Sequence, residues 1–242
     1  MPRLVTCYLL LVTFLMNVAI IAAAGQGTRM GGKPAKQFLE LAGIPVIIHT
    51  LKRFEQCDVI QEIIVVLPAQ ESAEFLSLAD KYGLRKLAKV VPGGITRAES
   101  VLRGLRAVRE ATAEIVAVHD GVRPFVTPEE ITRTVEAARA HEAAILVAPV
   151  TDTIKEVESE QVARTLKRGQ VRRALTPQCF RYSLLRRAYE QADVLDPDLT
   201  DDSVLVERLG TKVAIVEGNP HNIKITQPQD LAIAEVLLRE TG

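Results

Sequence analysis

Gly25, Gly27, Arg29, Lys33 and Lys36 fall within one stretch, NVAIIAAAGQGTRMGGKPAKQF, that runs from Asn17 to Phe38. Together these residue types suit a chain of phosphates. Glycines let backbone N–H groups approach an anion closely, and an Arg fork with a Lys point charge then neutralises it. Two familiar cradles do not fit. The dinucleotide pattern G-x-G-x-x-G loses its third glycine to Met30, and the next apolar run, IIVVLPAQ, ends in no Asp or Glu for a ribose. The P-loop pattern is met by Gly27, Gly32 and Lys33, but Pro34 stands where a metal-binding hydroxyl belongs and has no N–H to offer. What is left is A-A-G-x-G-x-R-M followed by a lysine, Lys36, at the KQF step; Lys33 has no defined place in it.

Other reactive groups recur where apolar runs end. PGGITR (Pro92–Arg97) pairs two glycines with an Arg, HDGVRP (His119–Pro124) and APVTDT (Ala148–Thr153) each offer an Asp. On spacing alone Pro92–Gly94 reads equally well as an ordinary turn. His119 reads as a packed strand histidine, and no Ser, Cys or His forms a convincing nucleophile–base–acid set. Lys224 alternates with Ile223 and Ile225, so it is expected to point away from the core side and into a cleft.

These groups are carried on a regular rhythm. Gln61–Pro68 is a short β-branched run expected as a buried strand; Lys86–Val91, Glu114–Asp120 and Ala143–Val150 are expected as further strands, with Asn17–Ile21 as the first core strand. Between them Ile44–Cys57, Gln70–Tyr82, Thr96–Glu110 and Thr127–His141 have helical spacing; Pro45 suits a first turn, Gly83 a stop, and Thr127, Pro128, Glu129 and Glu130 an N-terminus. The pattern predicts an α/β fold with a mostly parallel twisted sheet and helices on both faces. Ligands bind beyond the carboxyl ends of such strands, where the glycine loops and Asp120 fall. The rhythm breaks at Thr151. TDTIKEVES and QVARTLKRG are polar and alternating, which suits an exposed two-stranded arm over about residues 151–173; such a hairpin is marginal alone and is expected to pack on a second subunit. ALTPQCF returns to the core. Arg181–Ala192 and Thr200–Leu209 are expected as helices, TKVAIVEG and NIKIT as strands, and Pro228–Glu240 as a closing helix.

The chain's 242 residues suit one large domain, here residues 16–242. Lys plus Arg equal Asp plus Glu at 30 each, which argues against a general polyanion binder, so no nucleic-acid partner is expected. Cys7, Cys57 and Cys179 are far apart without metal spacing and read as reduced thiols, which favours the cytoplasm. Leu4–Ala24 is apolar enough to resemble a membrane span or a signal peptide. Cleavage after Ala24 would remove the first core strand, however. Met16 is therefore expected as the true start, with residues 1–15 a misassigned or disordered extension and no membrane partner; a membrane-anchored form is the alternative.

The segments AAAGQGTRM…KQF, PGGITRAESVLRGL, VHDGVRPFV, APVTDTIK, RRALTPQ, LTDD and NIKITQPQDL fall in order along the chain. Together they resemble the 2-C-methyl-D-erythritol 4-phosphate cytidylyltransferases, from about Met16 to the C-terminus. The resemblance implies a Rossmann-like nucleotidyltransferase fold and the transfer of CMP from CTP to methylerythritol phosphate, usually with Mg²⁺. It implies that Arg29, Lys36, Arg168 and Lys224 act on the reacting phosphates. Ala23, Ala24, Gly25, Gly27, Gly94, Ser100, Asp120 and Gly121 would hold CTP, with Asp120 near the metal. Arg123, Thr153 and Thr200 would hold the alcohol phosphate. Arg168 would be lent by the arm to a neighbouring subunit, making a homodimer. Two departures stand out: Ile95, where relatives often have a polar residue, and KPAKQ, whose proline sits two before Lys36. A cytidylyltransferase for another polyol phosphate, such as ribitol 5-phosphate, and a non-catalytic CTP-binding protein are the competing readings.

Overall fold

The computed structural model describes residues 15–25 and 35–241. Its strands are β1 (Met16–Ala22), β2 (Glu40–Leu41), β3 (Ile44–Pro45), β4 (Glu62–Leu67), β5 (Leu87–Pro92), β6 (Ala113–Asp120), β7 (Ala143–Pro149), β8 (Lys155–Glu158), β9 (Gln161–Thr165), β10 (Arg172–Arg181) and β11 (Ala214–Glu217). Its α-helices are α1 (Val46–Glu55), α2 (Ser72–Lys81), α3 (Arg97–Ala107), α4 (Pro128–His141), α5 (Tyr182–Glu190), α6 (Ser203–Arg208) and α7 (Pro228–Thr241).

The main sheet has the order β11–β7–β10–β6–β1–β4–β5. Neighbours are parallel except at β10, which runs antiparallel to both β6 and β7. β1 lies inside the sheet, and Val18, Ala19, Ile20 and Ile21 are all buried because helices cover both faces. Ile21 packs with Ile47, Phe54, Phe75 and Ile131 from α1, α2 and α4. Ile20, one residue earlier and on the other face, packs with Val101, Leu105, Leu185 and Leu205 from α3, α5 and α6. Each such isoleucine contributes roughly 1.5–3 kcal/mol by leaving water, so this strand anchors the loop that follows it.

Local signals set the helix ends. Thr127 accepts the Glu130 N–H while the Glu130 carboxylate accepts the Thr127 N–H, a reciprocal cap with Pro128 in the first turn. Thr96 accepts the Glu99 N–H at the start of α3. Gly83 follows α2 with φ +66°, a conformation that favours glycine.

Two expectations need correction. Pro45 is not inside the first turn of a helix; it ends β3 and caps α1, since Leu41 and Ile44 pair across a tight turn first. Asn222–Thr226 is not a strand. It lies against the turn at Val122, which offers only one carbonyl, and Ile225 N–H takes it at 2.9 Å. The arm is present as β8 paired with β9, and Val157 faces Val162 across it with both 60% exposed. Of the apolar stretch Leu4–Ala24, Met16–Ala22 is β1, and residues 1–14, with Cys7, lie outside the described residues. Among the described residues no helix is long and apolar enough to cross a membrane. Cys57 and Cys179 are free and buried.

Candidate active site

Strand register assembles the site. Ala22 stands level with Val66 on one side and Asp120 on the other. The ladder then continues one step past the strands: Ala23 N–H donates to Val66 C=O at 2.9 Å, Gly121 N–H to Ala22 C=O at 2.9 Å, and Gly93 N–H to Leu67 C=O at 2.8 Å. Three loops thus meet backbone to backbone. A Cβ on Gly93 would overlap the Ala24 methyl, and one on Gly121 would lie 2.8 Å from the Ala23 Cβ. These glycines keep the floor of the cleft open and flat.

The cleft above this floor is about 600 Å³. Ala23, Ala24, Gly25, Lys36, Gly94, Ser100, Asp120 and Lys224, all expected from the sequence, line it. Gly121 lies behind Ala23. Gly27 and Arg29, with Pro34, lie outside the described residues. Ser100 Oγ donates to Thr96 C=O at 2.9 Å and accepts Gly94 N–H at 3.0 Å, so it fixes the glycine turn. Glu99 adds a second tie, accepting Ile95 N–H at 2.7 Å and Arg103 Nη2 at 2.7 Å, while Arg103 Nη1 donates to Gly93 C=O at 2.6 Å.

Among the described residues lining the cleft, Asp120 is the only carboxylate. Its Oδ1 meets Arg97 Nε at 3.0 Å, and its Oδ2 meets Lys224 Nζ at 3.0 Å and Arg123 Nε at 3.3 Å. Burial opposes its ionisation, but Arg97, Lys224 and Arg123 outweigh that and hold the carboxyl well below the usual carboxylate range. Its N–H donates to Thr176 Oγ1 at 3.2 Å. His119 is fully buried between Thr176 Oγ1 and the Arg123 carbonyl, and burial pushes its pKa down to about 4. It is held as a neutral packing residue.

Behind Asp120 a smaller cavity of about 190 Å³ contains Arg123 and Thr200, and shares Arg97, Asp120 and Lys224 with the main cleft. Thr153 and Arg168 meet in a third cavity, of about 260 Å³, at the base of the arm. Within one chain they are therefore together, but in a different cavity from Lys36 and Lys224. Sequence reading noted Arg97 only as the arginine after the PGG turn, with no role, and missed Glu99, Arg103, Thr176 and Asp202. All five lie inside the segments PGGITRAESVLRGL, RRALTPQ and LTDD, so the signal was present; Glu99 and Arg103 bond within ten residues, whereas the partners of Arg97, Thr176 and Asp202 are distant in sequence. Among the described residues no three His, Cys, Asp or Glu side chains group to hold a metal.

The family model for 2-C-methyl-D-erythritol 4-phosphate cytidylyltransferase matches residues 17–240. A protein of that name from Bacillus licheniformis is 46% identical, covering 90% of this chain and 94% of its own. One from Pelotomaculum thermopropionicum is 44% identical over 91% and 93%. The crystal structure of 4-diphosphocytidyl-2C-methyl-D-erythritol synthase from Anaerococcus prevotii superposes with a TM-score of 0.83 at 33% identity, covering 93% of this chain and 96% of that one. That of 2-C-methyl-D-erythritol 4-phosphate cytidylyltransferase from Thermus thermophilus gives 0.73 at 36% identity, over 91% and 98%. With the match running from Asn17 nearly to the end and the cleft formed by the same ordered segments, the chain belongs to the 2-C-methyl-D-erythritol 4-phosphate cytidylyltransferase family.

Proposed function

We propose that the chain transfers CMP from CTP to 2-C-methyl-D-erythritol 4-phosphate, releasing pyrophosphate and forming 4-diphosphocytidyl-2-C-methyl-D-erythritol. Family membership supports the reaction. The observation that carries its placement in this chain is the Asp120 cluster, which stands in the wall between two cavities, one with a glycine floor for a nucleotide and one with Arg123 and Thr200 for a phosphate.

The acceptor's phosphate oxygen attacks the α-phosphorus of CTP, and the bond to the β,γ-diphosphate breaks. No enzyme nucleophile is needed. The chain's work is to align the two phosphates and to stabilise negative charge that grows in the transition state. Lys36 and Lys224, which both line the cleft, serve that role, with Arg29 from the glycine loop. The bare backbone at Ala23–Gly25 and Gly93–Gly94 holds the base and ribose, and Ser100 keeps the second turn in place.

The donor set fits a magnesium ion that arrives with the nucleotide and does not fit a resident one. One carboxylate whose two oxygens are already taken by three cations is too little to hold a bare ion, whereas Mg²⁺ is commonly held by one carboxylate plus substrate phosphates. Asp120 would hold it together with the triphosphate. The ion would offset charge on the phosphates.

The functional form is a homodimer in which the arm's Arg168 and Thr153 complete the neighbour's acceptor site. The exposed Val157–Val162 pair on a two-stranded arm supports this, because apolar pairs on a marginal hairpin need cover. The cytoplasm is the expected compartment, supported by the free cysteines.

Pyrophosphate release from CTP and Mg²⁺ tests the reading, with methylerythritol phosphate, ribitol phosphate and no acceptor in parallel. Release with the first alone is expected. Release with ribitol phosphate alone would replace the substrate, and CTP binding without turnover in any arm would leave only a nucleotide-binding role.

A further inference from the structure

Arg97 opens α3 and is gripped from two sides. Its Nε donates to Asp120 Oδ1 at 3.0 Å and its Nη1 to Asp202 Oδ2 at 2.9 Å. The two carboxylates are not equivalent. Asp120 is shared with Arg123 and Lys224, whereas Asp202 has Arg97 as its only cation among the described residues. Asp202 is also locked in place. Its side chain is fully buried, its Oδ1 accepts the Tyr189 hydroxyl at 2.5 Å, and its N–H and that of Ser203 both donate to Gln178 Oε1 at 3.0 Å. Tyr189 is 2% exposed, and among the described residues its hydroxyl bonds only to Asp202.

Arg97 lines both the nucleotide cleft and the acceptor-side cavity. Its side chain keeps 27% exposure, and Nη2 makes no hydrogen bond among the described residues. A guanidinium carries five N–H donors in a fixed fork, so fixing Nε and Nη1 also fixes where Nη2 points. Arg97, Arg123 and Lys224 are balanced here by Asp120, Asp202 and Asp201, which also lines the acceptor-side cavity, and Arg97 is the cation that Asp120 and Asp202 share.

We propose that Arg97 binds the reacting phosphates where the two cavities meet, and that Asp202 and Tyr189 are positioning residues that fix its fork for that contact. A lysine cannot replace it, because one ammonium on a flexible stem cannot hold both carboxylates and still present a donor at a set angle. Asp202 serves by direction rather than by charge. Its loss leaves the wall more positive, so binding of CTP is retained while alignment of the transferred phosphate is lost.

The inference rests on the transfer reaction proposed above, and wild-type turnover in the same assay separates its failure from failure of that reaction. Steady-state kinetics, normalised to folded sites, would be measured for R97K, D202N and Y189F. A kcat loss of roughly 100-fold for R97K, about 10-fold for D202N and about 3-fold for Y189F is expected, with KM for CTP changed by less than about 3-fold. A purely scaffolding role would lower the melting temperature and leave kcat per folded site intact. Unchanged kcat in R97K and D202N, or losses confined to KM for CTP, would overturn the proposal. Should D202N not fold, Y189F decides, since it removes one buried hydroxyl and no charge; an unaltered kcat there would also overturn it.

Discussion

Lys224 Nζ lies 3.0 Å from Asp120 Oδ2, joining an irregular segment beyond β11 to the last residue of β6. The contact places an ammonium at the junction of two cavities, on a backbone that makes no sheet ladder. Ile225, beside it, is fully buried and holds that backbone through the Val122 carbonyl. Lys224→Met keeps the stem and removes the charge. It should lower kcat by roughly 10²- to 10³-fold through lost transition-state stabilisation while the fold persists. Single-turnover kinetics with circular dichroism checks this; a near-normal rate would remove Lys224 from the machinery.

Gly93 has no room for a side chain, because a Cβ would overlap the Ala24 methyl and lie 3.1 Å from Ser100 Oγ. Gly93→Ala should push the two loops apart and cost about 1–3 kcal/mol of stability. Urea unfolding measures that cost. The thermal shift produced by CTP should be weakened in the same variant.

Glu99 offers two acceptors, one to Ile95 N–H and one to Arg103. Glu99→Gln turns one of them into a donor facing a donor. The glycine turn should loosen, raising KM for CTP by roughly 3- to 10-fold with little change in kcat at saturation. Initial rates over a CTP series would show the split.

Arg168 and Lys36 line separate cavities of one chain. If each site draws Arg168 from the partner, mixing inactive Arg168→Ala with inactive Lys36→Ala subunits should restore activity, since one site of the mixed dimer is intact. Absence of rescue after verified subunit exchange would sink the shared site.

Cys179 is fully buried, and burial pushes its thiol well above the ordinary value; Cys57 is equally enclosed. Neither should react with a thiol reagent in the native protein, and both should react in denaturant. Peptide mapping of the modified positions distinguishes them from Cys7.

What the sequence determined by itself was local. Alternating apolar runs and helical spacing gave the strand–helix order. Thr127 and Thr96 marked helix starts within three residues of the groups they bond, and the glycine loops marked where phosphate and base would sit. The ordered segments were specific enough to name a family. Lys224 was legible because its neighbours Ile223 and Ile225 alternate with it, although the same alternation suggested a strand that does not form. Tertiary structure alone decided which charges meet. Arg97 and Asp202 carry no periodic signal, and nothing nearby in sequence tells a buried ion pair from two solvated side chains. Burial of Asp202 against Tyr189 and the level ends of β1, β4 and β6 exist only once the sheet has closed. It is that closure which removes water and turns scattered polar residues into one connected cluster.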